Sequence, residues 1–123
     1  MSIHCLLIED DAFTRDVFSL TLRRAKMYVE LAPSGEEAIA YLQKNIPDVI
    51  IVDLHLPNIS GYDIINMIRS DVDLQHIHII IVTANPSAIR TPEARLADAF
   101  LTKPVNIQDL VNTIEHLVSV GHS

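Results

Sequence analysis

The stretch Ile50-Ile51-Val52-Asp53-Leu54-His55-Leu56-Pro57 decides the fold. With Val49 it forms a short run of β-branched apolar residues that stops at a carboxylate, Asp53. A run so short and so apolar fits a strand buried on both faces, as in a parallel sheet. Its carboxyl end is where open α/β sheets gather their ligands. Pro57 and Asn58-Ile59-Ser60-Gly61 then turn the chain out of the sheet. Alone, Asp53 reads equally as a helix cap or turn residue. The other strand ends shift that reading.

Working outward, the same alternation recurs. Ile3 to Ile8 is a first apolar strand, ending in Glu9, Asp10 and Asp11. Apolar residues then return at Phe13, Val17 and Leu20, and at Phe18, Leu22 and Ala25, which is helical spacing. Asp11 is placed to cap that helix. Tyr28 to Leu31 is a second strand, and Ser34-Gly35-Glu36-Glu37 fits a capping box that opens a helix with Ala38, Ile39 and Leu42 inward. That helix stops before Pro47. Val49 to Asp53 is the third strand, followed after Gly61 by a helix with Ile64, Ile65 and Ile68 on one face. Ile77 to Val82 and Ala99 to Thr102 are the fourth and fifth strands. Asn106 caps a last helix with Leu110, Val111, Ile114, Leu117 and Val118 inward, ended by Gly121.

Strands alternating with helices predict βαβ units, right-handed crossovers and helices on both faces of a parallel sheet. The fold expected is one doubly wound, flavodoxin-like α/β layer structure. It has five strands in the order 2-1-3-4-5 and about five helices.

The 123 residues form one domain, residues 1–123, large enough for a proper core. Hydrophobic content of 49% and charged content of 20% fit a globular protein. A net charge of −7 argues against direct nucleic-acid binding through bulk electrostatics. No apolar run is long enough for membrane insertion, and no leader pattern opens the chain. The single Cys5 lies inside the first apolar run and reads as a small buried hydrophobe. Together these features predict a reducing, cytoplasmic setting. If these residues are the whole gene product, no output domain is attached.

Four strand ends carry polar groups: Glu9 and Asp10, Asp53, Thr83, and Lys103. A parallel sheet puts all four on one edge. Three carboxylates so placed repel one another unless a cation neutralises them. Mg²⁺ suits a site of few carboxylates and several waters. The lysine and the hydroxyl complete a pocket fit for a phosphoryl group, which a carboxylate can accept as an acyl phosphate. Singly, Glu9 and Asp10 read as a cap pair, Lys103 as a surface ion pair and Thr83-Ala84 as a turn.

These motifs carry a resemblance. The segments Leu7-Ile8-Glu9-Asp10-Asp11, Val52-Asp53-Leu54-His55-Leu56-Pro57 with Gly61, Thr83-Ala84, and Phe100-Leu101-Thr102-Lys103-Pro104 make the chain similar to a response-regulator receiver domain over essentially its whole length. The resemblance implies that Asp53 is the phosphoacceptor, charged by a sensor histidine kinase or a histidine phosphotransfer protein. It implies that Asp10, Glu9 through water, Asp53 and the backbone carbonyl of His55 hold Mg²⁺, with Mn²⁺ an alternative. Lys103 would contact the acid and then the phosphoryl oxygen. Thr83 would swing toward the phosphoryl group, with Phe100 the coupled aromatic that turns inward. Lys103-Pro104 would be cis, a state that X-Pro bonds reach cheaply. The expected role is a phosphorylation-controlled signalling switch acting on a downstream protein target, not an enzyme with a small-molecule substrate. It would assist only its own phosphorylation and slow autodephosphorylation.

His55 and Asn85 occupy the family's paired positions for tuning phosphoryl lifetime. An imidazole at His55 can screen the acyl phosphate from water, orient water as a base, or point to solvent. A ring protonated beside anions is a poor base, which favours the screen.

Two departures stand out. Leu96-Ala97 replaces the usual Gly-Ala pair before the fifth strand, and the interval from Thr83 to Lys103 is about two residues short for the family. Pro86 and Pro92 fall inside it, so the fourth helix should be short and start near Thr91. That puts the family's usual output mode in doubt. The stretch from Asn85 to Leu96 is expected to be the most mobile part of the fold. His76 and His78 alternate and could share a metal, but no third ligand is in view, and ordinary histidines are the simpler reading. Arg23-Arg24 reads as a solvated helix face.

Three rivals remain. A receiver-like interaction module that is never phosphorylated would not need the intact acid, hydroxyl and lysine set. An aspartyl-phosphate hydrolase usually has a second acid two residues after the nucleophile, where this chain has His55. A flavodoxin needs a Ser/Thr/Gly-rich loop after the first strand, where this chain has acids.

Overall fold

The computed structural model describes residues 2–120. Five strands, β1 (His4–Ile8), β2 (Tyr28–Ala32), β3 (Val49–Asp53), β4 (His78–Thr83) and β5 (Ala99–Thr102), form one sheet in the order β2-β1-β3-β4-β5. Every neighbouring pair is parallel. Four α-helices are present among the described residues: α1 (Ala12–Arg24), α2 (Gly35–Leu42), α3 (Gly61–Ser70) and α4 (Ile107–Val120). The predicted sheet and strand order are therefore found, with four α-helices in place of about five.

Strand alternation divides the core in two. Leu6, Ile8, Ile50, Val52, Ile79 and Ile81 point to one face and pack with Ala38 and Leu42 of α2 and Ile64, Ile65 and Ile68 of α3. Cys5, Leu7, Val49, Ile51, Ile80 and Val82 point to the other and pack with Phe18 and Leu22 of α1 and Leu110, Val111 and Ile114 of α4. All five residues of β3 are buried, which explains why Val49 to Val52 are apolar in succession rather than at alternate positions. Burial pushes the Cys5 thiol up to about 12, so it stays protonated and inert.

Only one of the two apolar stripes of α1 faces the sheet. Phe18 and Leu22 are buried, whereas Phe13 is 77% and Leu20 53% exposed. The two stripes lie well apart around a 3.6-residue helix, so of the first stripe only Val17, half-buried, reaches the core while Phe13 and Leu20 face away. Leu117 and Val118 of α4 are half-buried against the core, and Ile39 of α2 is half-buried. The Gly121 stop signal lies outside the described residues.

The caps follow the sequence with one change. The Asp11 carboxylate accepts from Thr14 N and Thr14 Oγ1, and these hydrogen bonds hold its carboxyl below the usual value. Ser34 accepts from Glu37 N, but among the described residues no return bond from Glu37 completes the box. The complete capping box is at Ser60 and Asp63 instead. Its signature, Ser60-Gly61-Tyr62-Asp63, was readable in the sequence. Asn106 caps α4 through Asp109 N.

The fourth helix does not form. Residues Pro86–Arg90 and Glu93–Leu96 make two 3-10 turns. Pro92 has no N–H to continue a ladder, and Thr91 closes the first turn by donating N–H and Oγ1 to the Ala88 carbonyl. This segment is tied to α3: Asn66 Nδ2 donates to Glu93, and Arg69 Nε donates to the Leu96 carbonyl at 2.8 Å. Arg69 also reaches the Gln75 and Ile77 carbonyls and Asp98. His78 opens β4, buried, with Nδ1 3.9 Å from Asp98 Oδ2, whereas His76 is exposed in the preceding turn. The two histidines do not alternate on one strand.

Candidate functional site

The site forms where β1, β3, β4 and β5 end. Register places Ile8 opposite Val52, and Asp53 opposite Val82, so Glu9, Asp53 and Thr83 leave the sheet side by side. Lys103 follows β5, its backbone N–H donating to the Thr83 carbonyl at 2.8 Å and its peptide bond to Pro104 cis.

Lys103 Nζ donates to Glu9 Oε1 at 2.8 Å and to Asp53 Oδ2 at 2.9 Å. Burial alone lowers the Lys103 pKa, but the hydrogen bonds to Glu9 and Asp53 outweigh it and hold the ammonium above its usual value. Glu9, only 2% exposed, has its carboxyl raised, first by burial and against the opposing pull of Lys103. Asp53 Oδ1 accepts from His55 N at 3.0 Å, so the residue after next fixes the acceptor's second oxygen.

Asp10 is exposed, and one oxygen each of Glu9, Asp10 and Asp53 lie within 4.8 Å of one another. This is the one group of three metal-ligating side chains among the described residues. Three carboxylates against one lysine leave the cluster two charges short of neutrality. All donors are hard oxygens, and that donor set fits a Mg²⁺ ion.

Gly61 makes the geometry possible. A Cβ there would lie 2.5 Å from the Asp53 carbonyl oxygen and 2.7 Å from Leu54 Cα. The first turn of α3 thus packs directly on the backbone of the acceptor strand, and Gly61 N donates to the Leu54 carbonyl there. Gly35 does the same for the other side of the loop, with a Cβ 2.7 Å from the Ile59 carbonyl.

The family question is answered by the sequence itself, which matches the pattern of the response regulator receiver domain over residues 5–115. The chain belongs to that family. It is 27% identical over 119 residues to the polar-differentiation response regulator DivK of Brucella ovis, covering 94% of this chain and 95% of that protein. It is 30% identical to a putative response regulator from Chloroflexus aurantiacus, with a TM-score of 0.90 over 97% of this chain and 99% of the other. The receiver domain of a Pseudomonas aeruginosa sensor histidine kinase, solved with magnesium in its active-site cleft, is 25% identical. Its TM-score is 0.89 over 97% of this chain and 99% of its own. Receiver domains are signalling switches of two-component systems that work through kinases or phosphotransfer proteins and downstream targets. No described helix is long and apolar enough to cross a membrane.

The remaining predicted residues differ in burial and in partners. Thr83 is fully buried, and its Oγ1 accepts the N–H of Asn85 at 3.2 Å. Phe100 is half-buried opposite Ile81, packed on the α2–α3 side of the core. The His55 side chain is exposed. Asn85 is exposed and its Oδ1 is taken up by Ser87 N and Ser87 Oγ, capping the first 3-10 turn. Sequence reasoning missed the close approach at Gly61, the anchoring of residues 93–98 by Arg69, and Arg15. Arg15 alone left a faint signal, a cation in the first turns of a helix where the dipole disfavours one.

Proposed function

We propose that this chain is a phosphoacceptor switch in which Asp53 takes a phosphoryl group from a phosphohistidine on a sensor kinase or phosphotransfer protein, in the cytoplasm. One observation carries the reading. Lys103 bridges Glu9 and Asp53 at 2.8 and 2.9 Å while Asp10 stands within reach of both acids. An ion pair kept for stability alone would not assemble a third carboxylate beside two that already share one lysine.

The chemistry follows from the groups present. An Asp53 carboxylate oxygen forms a bond to phosphorus as the phosphorus–nitrogen bond breaks, and the electron pair and a proton go to the imidazole. Lys103 already touches Oδ2, so its ammonium is in place for the charge that arrives with the phosphoryl oxygens. Glu9, Asp10 and Asp53, with the His55 carbonyl, would hold Mg²⁺, with Mn²⁺ as an alternative. The ion supplies the positive charge that lets a phosphoryl group approach three carboxylates. Among the described residues, Thr83 Oγ1 has only the Asn85 N–H to release before it can turn toward the phosphoryl group. Phe100, half-buried at the edge of the core, is the aromatic that would turn inward. His55, exposed beside the acceptor, is the candidate screen, and Asn85 the second tuning residue.

The docking side is consistent with a protein donor. An apolar groove of about 430 Å³ opens beside Lys103, lined by Phe13, Val17, Phe18, Pro104, Val105 and Ile107. Signalling then proceeds by contact with a downstream protein.

Intact-mass spectrometry after incubation with acetyl phosphate and Mg²⁺ tests the proposal. One added phosphoryl group, lost in Asp53→Asn and without Mg²⁺, is expected. A variant phosphorylated as fast as the wild type would overturn it.

A further inference from the structure

We infer that Arg15 is a positioning residue for the acid-bearing loop, and that it sets the metal affinity of the site without touching the metal. The inference rests on the Mg²⁺ reading proposed above and goes beyond it to a residue outside the ligand set.

The three acids of the loop are held very differently. The Glu9 carboxylate accepts from Lys103 Nζ and from Asp11 N. The Asp11 carboxylate accepts from Thr14 N and Oγ1. The Asp10 carboxylate, which completes the oxygen cluster, makes no hydrogen bond or ion pair among the described residues. Within the protein, only the backbone directs it, by setting where its Cα–Cβ bond points.

That backbone is gripped by Arg15. Its Nη1 donates to the Glu9 carbonyl at 3.0 Å and to the Asp10 carbonyl at 3.4 Å. The two peptide planes flanking the Asp10–Asp11 and Glu9–Asp10 bonds are thereby tied to α1, where Arg15 is itself anchored by N–H to the Asp11 carbonyl. The side chain runs back toward the helix N-terminus, as helical geometry directs. Arg15 sits in the first turns of α1, where the helix dipole disfavours positive charge and the neighbouring acids favour it. Attraction to the neighbouring acids would draw the guanidinium toward their carboxylates, yet its Nη1 spans two adjacent backbone carbonyls instead. Groups that orient metal ligands without touching the ion commonly govern affinity.

Calorimetric titration of the chain with Mg²⁺ and with Ca²⁺, in the wild type, R15M and R15K, tests this. R15M is expected to bind Mg²⁺ about tenfold more weakly. The sign is diagnostic, because removing a cation beside a cation site by charge alone tightens binding. Unchanged or tighter Mg²⁺ binding in R15M overturns the assignment. The loss should be larger for Mg²⁺, which demands near-ideal octahedral geometry, than for Ca²⁺, which accepts irregular ones. Equal losses, as general loosening of the domain would give, also overturn it. If R15M does not fold, R15K carries the test: weaker Mg²⁺ binding supports positioning and wild-type affinity overturns it. A wild-type chain that binds no Mg²⁺ would instead remove the metal reading on which the inference stands.

Discussion

Replacing Gly61 by alanine isolates the contact that builds the acceptor loop. The added methyl would meet the Asp53 carbonyl oxygen at 2.5 Å, Leu54 Cα at 2.7 Å and the Asp53 carbonyl carbon at 3.1 Å. All three atoms are backbone, so no rotamer change relieves the overlap, and α3 or the end of β3 must shift. Overpacking of this kind costs roughly 1–3 kcal/mol, and the backbone neighbours put this case at the upper end. Alanine's better helix propensity returns at most about 1 kcal/mol. The net loss is about 2 kcal/mol. With an unfolding entropy of roughly 0.26 kcal/mol/K for a chain of this length, Tm falls by about 8 °C. Urea unfolding should show a lower midpoint at unchanged slope. Because the displaced carbonyl belongs to Asp53, the rate of phosphorylation by acetyl phosphate should fall in the protein that remains folded. Gly61→Ala as stable as the wild type, or more stable, would show that propensity outweighs the clash and refute the reasoning.

Three further outcomes are expected. Lys103→Met strips the hydrogen bond that opposes the burial-driven rise of the Glu9 carboxyl. A carboxyl raised in the folded state contributes stability below its ordinary value of 4.5 that is lost as pH climbs through the raised one. The variant's deficit should therefore be small near pH 4 and grow to roughly 2–3 kcal/mol by pH 8, less than for a fully buried pair because Lys103 is 23% exposed. A deficit of the same size at both pH values in urea unfolding would count against it. Arg69→Ala removes donors to the Leu96, Gln75 and Ile77 carbonyls and to Asp98, costing about 2–3 kcal/mol. Hydrogen exchange across residues 85–96, already expected to be faster than in α4, should quicken further, and unchanged protection would refute the anchoring. His55→Ala should lose its phosphoryl group faster than the wild type between pH 6 and 8. Slower loss would make His55 a base, and equal loss a bystander.

The sequence alone determined the sheet and the chemistry at its edge. Val49–Val52 and Ile79–Val82 are apolar at every position, and only strands covered on both faces need that, so the parallel sheet and its helical layers followed locally. Once the strands were parallel, Glu9, Asp10, Asp53, Thr83 and Lys103 had to share one edge, whatever the details. The caps at Asp11 and Asn106 were equally local, each written within three residues of its partner. What depends on distance through space stayed hidden. Nothing in the chain says that Phe18 rather than Phe13 faces the sheet, because both stripes have helical period and the sheet selects one. Two prolines announced a weak fourth helix, but replacement by two 3-10 turns needed the contacts from Asn66 and Arg69 across about 27 residues of sequence, on the far side of β4. The clash waiting at Gly61 and the grip of Arg15 on the Glu9 and Asp10 carbonyls are the same kind of fact. A glycine in a turn and an arginine on a helix are ordinary in sequence, and only the packed backbone decides what each of them touches.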